Sequence, residues 1–139
     1  MKKKRTKKTK ISNYVMVVLL ILIIYYLFTK MTSIEISTEE LARHYSTNVQ
    51  TADDKFLNKE IDLTGKVKAY FEFEDDNDLM ELISENAVIS VFCILLSDEQ
   101  INVAKNLTQG TDVKIKGKCL GLAENKFANS VYIHVIKIK

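Results

Sequence analysis

From Ile11 to Phe28 the chain reads I-S-N-Y-V-M-V-V-L-L-I-L-I-I-Y-Y-L-F, with only Ser12 and Asn13 strongly polar. A helix apolar on every side has no water-facing stripe, so this segment does not suit the surface of a globular domain. At about 1.5 Å per residue it covers about 27 Å, close to the hydrocarbon thickness of a bilayer. Tyr14 lies near one end and Tyr25 and Tyr26 near the other, where amphipathic rings favour the membrane interface. The expected plan is a basic cytoplasmic tail (1–10), a transmembrane helix (11–29), a linker (30–37) and a folded domain (38–139). Residues 1–10 hold seven basic groups and no acid. That bias should keep the N-terminus cytoplasmic and place the C-terminal domain outside a cell (inner) membrane, as a single-pass signal-anchor protein. A cleaved signal peptide is the competing reading. Thr29-Lys30-Met31-Thr32-Ser33 offers no small-x-small site, and no cysteine follows for lipoprotein processing.

What remains, about 100 residues, suffices for one small domain and excludes a Rossmann enzyme or a TIM barrel. The formal charge of +2 is an average over unlike pieces. From Lys30 onward 13 basic residues face 18 acidic ones, so the folded part carries −5. A nucleic-acid-binding domain usually carries the opposite balance, which argues against nucleic acid as a partner.

A capping box, Ser37-x-x-Glu40, opens a helix with Leu41 and Tyr45 on one face. A further helical turn is expected over Asp53–Leu57. From Glu60 the period changes to two. Ile61, Leu63, Gly65, Val67, Ala69, Phe71 and Phe73 alternate with Asp62, Thr64, Lys66, Lys68, Tyr70, Glu72 and Glu74, which predicts a long half-buried strand. Strands are also expected at 79–84, 87–96, 111–122 and 131–138. Between the third and fourth, Ser97-x-x-Gln100 opens a helix carrying Ile101, Ala104 and Leu107, and Gly110 ends it. Three strands, a helix and two strands is the order of a five-stranded OB barrel. The predicted class is mainly β with helices: an OB barrel preceded by a short helical segment and one transmembrane helix.

The run Thr51-Ala-Asp-Asp-Lys-Phe-Leu-Asn-Lys-Glu-Ile-Asp-Leu-Thr-Gly-Lys-Val67 resembles the tRNA_anti-like OB-fold family. Leu41, Tyr45, Asn48 and Ala52 stand at matching spacing upstream. Val113-Lys-Ile-Lys-Gly-Lys-Cys-Leu-Gly121 is similar to the family's V-x-V-x-G-x-C-x-G stretch. The similarity spans residues 38–138 and implies the fold. It implies neither tRNA binding nor catalytic residues.

No catalytic constellation is legible, and no enzyme, cofactor or metal site is expected. His44 and His134 lack a partner at metal-ligand spacing. The Gly117–Gly121 pair precedes no helix, so it is no phosphate loop. The acidic run Glu72, Glu74, Asp75, Asp76, Asp78 has no EF-hand pattern and reads as a solvated loop. Cys93 and Cys119 read as buried free thiols, with a disulfide as the alternative outside the membrane.

Two surfaces remain as candidates. Lys66, Lys68 and Tyr70 should share an outer face with Lys114, Lys116 and Lys118, a candidate anion-binding patch, although the many acids nearby favour an ordinary solvated strand face. OB barrels usually bind on strands two and three and the flanking loops, here 72–78 and 123–130. Phe73, Phe92 and Phe127 are the candidate stacking contacts; strand aromatics more often belong to the core, and Phe127, in an expected loop, is the best exception. The reading is a membrane-anchored, non-enzymatic binding module with an envelope protein or glycan partner. The alternative is a single-stranded nucleic-acid or polyanion binder using the lysine face. Ligand and oligomeric state are not legible.

Overall fold

The computed structural model describes residues 8–31, 33–74, 77–85, 88–124 and 129–139. The chain divides into two compact units, the second being Ser33–Lys139. In the first unit, helix α1 spans Lys8–Met31. Its described side chains, Val15–Leu27, are each 50% to 68% exposed, so apolar groups point outward on every side. Among the described residues, no helix is long and apolar enough to cross a membrane. The span expected over 11–29 extends past the described side chains at both ends.

The second unit is mainly β, a closed five-stranded barrel with helices. Its elements are β1 (Ile34–Ser37), α2 (Thr38–Thr47), α3 (Val49–Phe56), β2 (Glu60–Phe71), β3 (Leu79–Leu82), β4 (Ile89–Ile94), α4 (Asp98–Lys105), β5 (Asp112–Glu124) and β6 (Asn129–Ile138). Neighbours run β2-β3-β4-β6-β5, and β5 pairs again with β2, which closes the barrel. The connection between β4 and β5 runs through α4, and β6 returns parallel to β4. This is the OB arrangement. Interior layers read straight across the strands: Val67, Leu82, Val91, Val131 and Leu122 in one, Tyr70, Met80, Cys93, Ile133 and Cys119 in the next.

The caps form where their sequences place them. The Ser37 hydroxyl accepts from the Glu40 N–H at 3.1 Å, and Ser97 accepts from Gln100 N–H at 3.3 Å. The short turn expected at 53–57 is a full helix, because Asn48 caps it by accepting from Thr51 N–H at 2.9 Å.

Three expectations are corrected. Residues 34–37, expected as linker, form β1, which lies parallel to β2 with Ile34 beside Ile61 and Ile36 beside Leu63. Ile36 is buried, so burial of the short I-E-I-S alternation recruits it into the sheet. The first barrel strand stops at Phe71. It also carries a bulge: Val67 pairs with Leu82, yet Ala69 pairs with Glu81, leaving Lys68 as an extra residue. A bulge shifts the side-chain phase by one residue. Tyr70 therefore turns inward, away from the lysines it was grouped with, and Phe71 turns outward.

Candidate ligand-binding face

Below the bulge, the outer face of β1, β2, β5 and β6 is a polar grid. Asp62 lies beside Glu35 on one flank and Lys116 on the other, and Lys116 lies beside Lys137. Lys114 pairs with Glu35 at 2.9 Å, Lys116 with Glu60 at 3.2 Å and Lys66 with Asp112 at 2.9 Å. Lys68, on the bulge, meets the buried Glu81 carboxylate at 2.7 Å. Four of the five predicted lysines thus face acids of this same chain. Lys118 is exposed opposite Glu60. The Glu35 carboxylate raises the pKa of Lys114, keeping it charged.

Asp62 anchors this grid. It is buried, and its Oδ2 accepts a hydrogen bond from the Ser33 hydroxyl. That bond, then the positive field of Lys139, Lys114 and Lys116, outweighs burial and lowers its pKa. A depressed carboxylate contributes stability above its unfolded pKa, about 4, and loses that contribution as pH falls through the folded pKa. An Asp62→Asn protein should therefore have a lower urea midpoint than wild type at pH 7. The gap should close as pH falls through the lowered folded-state pKa, below which both forms are uncharged. Parallel curves across that range would contradict the assignment.

Above the bulge the outer face changes character. One row reads Ala69, Glu81, Phe92, Tyr132, and the next Phe71, Leu79, Ile94, His134, Lys118. The Phe92 and Tyr132 rings stack with centroids 5.7 Å apart and planes at 21°. Phe71 lies 6.2 Å from Phe92. A shallow groove of about 230 Å³, lined by Phe73, Asn77, Leu79 and Ile94, continues the surface past the end of the strands. Phe71 is 39% and Phe73 45% exposed, unusual for large rings on a barrel wall. These rings form the candidate site. Phe92 and Phe73 stand among the candidate stacking contacts of the sequence, although the alternation places Phe73 on the inward phase. Phe71 was assigned inward because period two was read through the bulge, and the phase-breaking Lys68 has no local signature. Tyr132 was missed because it meets Phe92 only when β6 lies parallel to β4.

The loop flanking this face is held in place. Tyr70 donates its hydroxyl to Asp78, which also accepts from Phe73 N–H at 3.1 Å. Both bonds lower the Asp78 pKa. Burial, then Asp78, pushes the Tyr70 hydroxyl up to about 12. The ammonium of Lys105, paired with Glu72 at 2.8 Å, sits 5.8 Å from the Tyr70 ring centroid. Phe127, Asp75 and Asp76 lie outside the described residues.

The family-like residues serve the fold. Tyr45, on α2, donates to Asp53, on α3, at 3.0 Å, and its hydroxyl is 3.6 Å from Cys119 Sγ on β5. Burial raises the pKa of the Tyr45 hydroxyl and of the Cys119 thiol. Gly121 has φ +84°, and a Cβ there would stand 2.9 Å from Leu57 and 3.1 Å from Asp53. Small residues in β5 let the helix pair sit directly on it. Cys93 and Cys119 are both free and buried. Ile133 stands between them, one strand from each, so their Cα atoms lie roughly 10 Å apart, too far for a disulfide. Burial pushes the Cys93 thiol up to about 12 and leaves it unreactive. His44 packs edge-on against Phe56, and His134 lies on the outer face. Among the described residues, no cluster of His, Cys, Asp and Glu is arranged to hold a metal ion.

A family model described as tRNA_anti-like matches residues 2–130. No curated protein matches the sequence. Among solved structures, the fold is similar to a candidate aspartyl-tRNA synthetase from Leishmania major Friedlin, with TM-score 0.53 and 14% identity over 78% of this chain. The match covers 20% of the synthetase, so only one domain of that enzyme is shared. A candidate nucleic acid-binding lipoprotein from Klebsiella pneumoniae subsp. pneumoniae MGH 78578 matches at TM-score 0.51 and 12% identity, over 76% of this chain and 92% of that one. OBody AM3L09, solved bound to hen egg-white lysozyme, matches at TM-score 0.51 and 17% identity, over 60% of this chain and 82% of that one. At these identities the likeness is one of fold.

Proposed function

The chain belongs to the tRNA_anti-like family, and from that premise we propose that it is a membrane-tethered, non-catalytic binding module working outside the cytoplasmic membrane. The observation that carries this reading is the outer aromatic surface of Phe71, Phe92 and Tyr132, with ring centroids 6.2 and 5.7 Å apart. Its middle ring, Phe92, lies on β4, the third barrel strand and one of the two with which OB barrels hold their ligands, and Phe71 and Tyr132 extend the surface from the first and fifth. A row of one exposed and two half-buried rings offers faces to flat partners: the apolar face of a sugar, an aromatic side chain of an envelope protein, or a base. The tether is supported by the uncharged run from Ile11 to Thr29 within a helix of 24 residues, and by the seven basic groups before it. A single span would hold the barrel near envelope partners at high effective concentration.

A second reading, single-stranded nucleic acid, is favoured by the same stacked rings and by the name of the Klebsiella neighbour. The lysine face gives it little help, because Lys66, Lys68, Lys114 and Lys116 already face carboxylates. Titrating the detergent-solubilised full chain with envelope oligosaccharides and single-stranded oligonucleotides, at about 50 and 200 mM salt, separates the two. Salt-insensitive binding of sugar supports the first reading. Binding of oligonucleotide that falls steeply with salt supports the second. In either case Phe92→Ala should weaken binding about 5- to 150-fold, since a stacked ring contributes about 1–3 kcal/mol. An unchanged Kd in that variant would contradict the placement of the site.

A further inference from the structure

We infer that the groove between α4 and the end of β6 receives an extended, basic peptide of a partner protein, which adds to β6 as a further strand. This surface is separate from the ring row and needs nothing from it. Three observations carry the inference. The first is an open strand edge. β4 accompanies β6 only as far as Ile94 beside His134. Beyond that point β6 keeps β5 on one side, and among the described residues no strand lies on the other. Lys139 exchanges both main-chain hydrogen bonds with Lys114 of β5, at 2.8 and 3.4 Å. By the alternation of an antiparallel ladder, Ile138 turns its N–H and carbonyl away from β5. Both groups then face the groove that Ile138 lines. The second observation is what fills the start of that edge. The Gln100 carboxamide accepts from Leu96 N–H at 2.8 Å and donates to the carbonyls of Val135 and Ile136 at 3.1 and 3.3 Å. One side-chain amide thus stands where the β4–β6 ladder stops, making the bonds a peptide group would make. A peptide at Ile138 continues that series, and open edges of this kind hold extended chains by their main-chain groups.

The third is the shape and charge of the walls. The groove holds about 310 Å³, at the small end of ligand-sized pockets, which suits a few residues of chain. Val103 on α4 and Ile136 on β6 are both exposed there and grip apolar side chains, which an extended chain presents at every second residue. Glu99 lines the groove and Asp98 adjoins it, both exposed in the first turn of α4. Among the described residues neither has an ion-pair partner, whereas Glu35, Glu60, Glu72 and Glu81 each face a lysine. Against the two carboxylates stands Lys137 of the opposite wall, so the groove is negative on balance and favours lysine or arginine in the partner. A second copy of the barrel fits poorly. Each open edge stands behind its own α4, and the register shift that leaves Ile136 as an extra residue bends the strand away from a long, flat neighbour.

The test uses the full chain in detergent and a capped peptide of alternating valine and lysine. Two twins accompany it: one N-methylated at every residue, which cannot pair as a strand, and one with glutamate for lysine. Exchange of the Ile138 N–H with solvent is read by NMR. Saturating valine–lysine peptide should slow that exchange about tenfold or more. The N-methylated twin should leave it unchanged, and the glutamate twin should bind about tenfold more weakly. Val103→Arg, at an exposed position of α4, should remove the binding while the circular dichroism stays that of wild type. No slowing at Ile138 with about 1 mM peptide overturns the inference. So does equal binding of either twin. Slowing that rises with protein concentration in the absence of peptide would assign the edge to a second copy instead. Binding lost in Phe92→Ala but kept in Val103→Arg would place the peptide on the rings and empty the groove of this role.

Discussion

Truncating Phe56 to alanine should remove about 4 kcal/mol of stability, the size expected for deleting a fully buried ring. Phe56 ends α3 and is completely buried. Its ring lies 5.2 Å from His44 and 6.5 Å from Tyr45, both on α2, so one side chain ties the two helices together. The next turn of chain is tied to β5, with Asn58 N–H donating to the Cys119 carbonyl at 2.8 Å. The helix pair is therefore part of the barrel's core, and its loss should lower the whole unfolding transition. For a domain of 5–15 kcal/mol the variant should be marginal. Chemical denaturation monitored by circular dichroism measures it. A single transition displaced to low denaturant is expected. An unshifted main transition, preceded by a small early step, would mean that the helices are an ornament on an independent barrel.

Gly117→Ala should cost about 3 kcal/mol, the upper end of overpacking penalties. A Cβ at this position would stand 2.5 Å from Ile133 Cγ2 and 2.7 Å from the His134 carbonyl oxygen. Ile133 is completely buried and the carbonyl is backbone, so neither yields without parting β5 from β6. The pairing register shifts between Lys116 and Gly117, which marks the close approach. For a domain of about 100 residues the expected fall in Tm is roughly 10–20 °C. Gly110→Ala is the contrast: its φ is +86°, but open space surrounds it, so strain alone should cost about 1 kcal/mol. Equal Tm values for the two variants would contradict the packing account.

What was legible in the sequence follows from how local its causes are. Ser37 and Ser97 act within a few residues of themselves, so the starts of both capped helices could be read directly; α4 ends at Lys105 with Asn106 as its cap, four residues short of the Gly110 stop and before Leu107, because Gly110 serves the next turn instead. The alternation from Glu60 to Val67 is a local pattern too, and the barrel order follows from five such strands with a helix between the third and fourth. Local signals fail at Lys68, where one extra residue reverses every later side chain in the strand, and at Ile34–Ser37, where four residues are too few to announce a strand. The character of the lysine face was illegible for a different reason. Lys114 meets Glu35, 79 residues away, and Lys68 meets Glu81 across a hairpin. Five lysines in a strand pattern look like free charge until the fold supplies their carboxylates. The aromatic row likewise needs β2, β4 and β6 together, and no single strand pattern announces it.

The central claim is that ligand sits on the outer aromatic row and not on the lysine grid. Side-chain NMR of the full chain in detergent, with aromatic rings and lysine ends labelled and titrated with whichever oligosaccharide or oligonucleotide binds, reads both surfaces at once. The account predicts the largest shifts at Phe71, Phe92 and Tyr132, with Lys66 and Lys114 unmoved. Shifts centred on Lys66, Lys114 and Lys116, with silent rings, would contradict it.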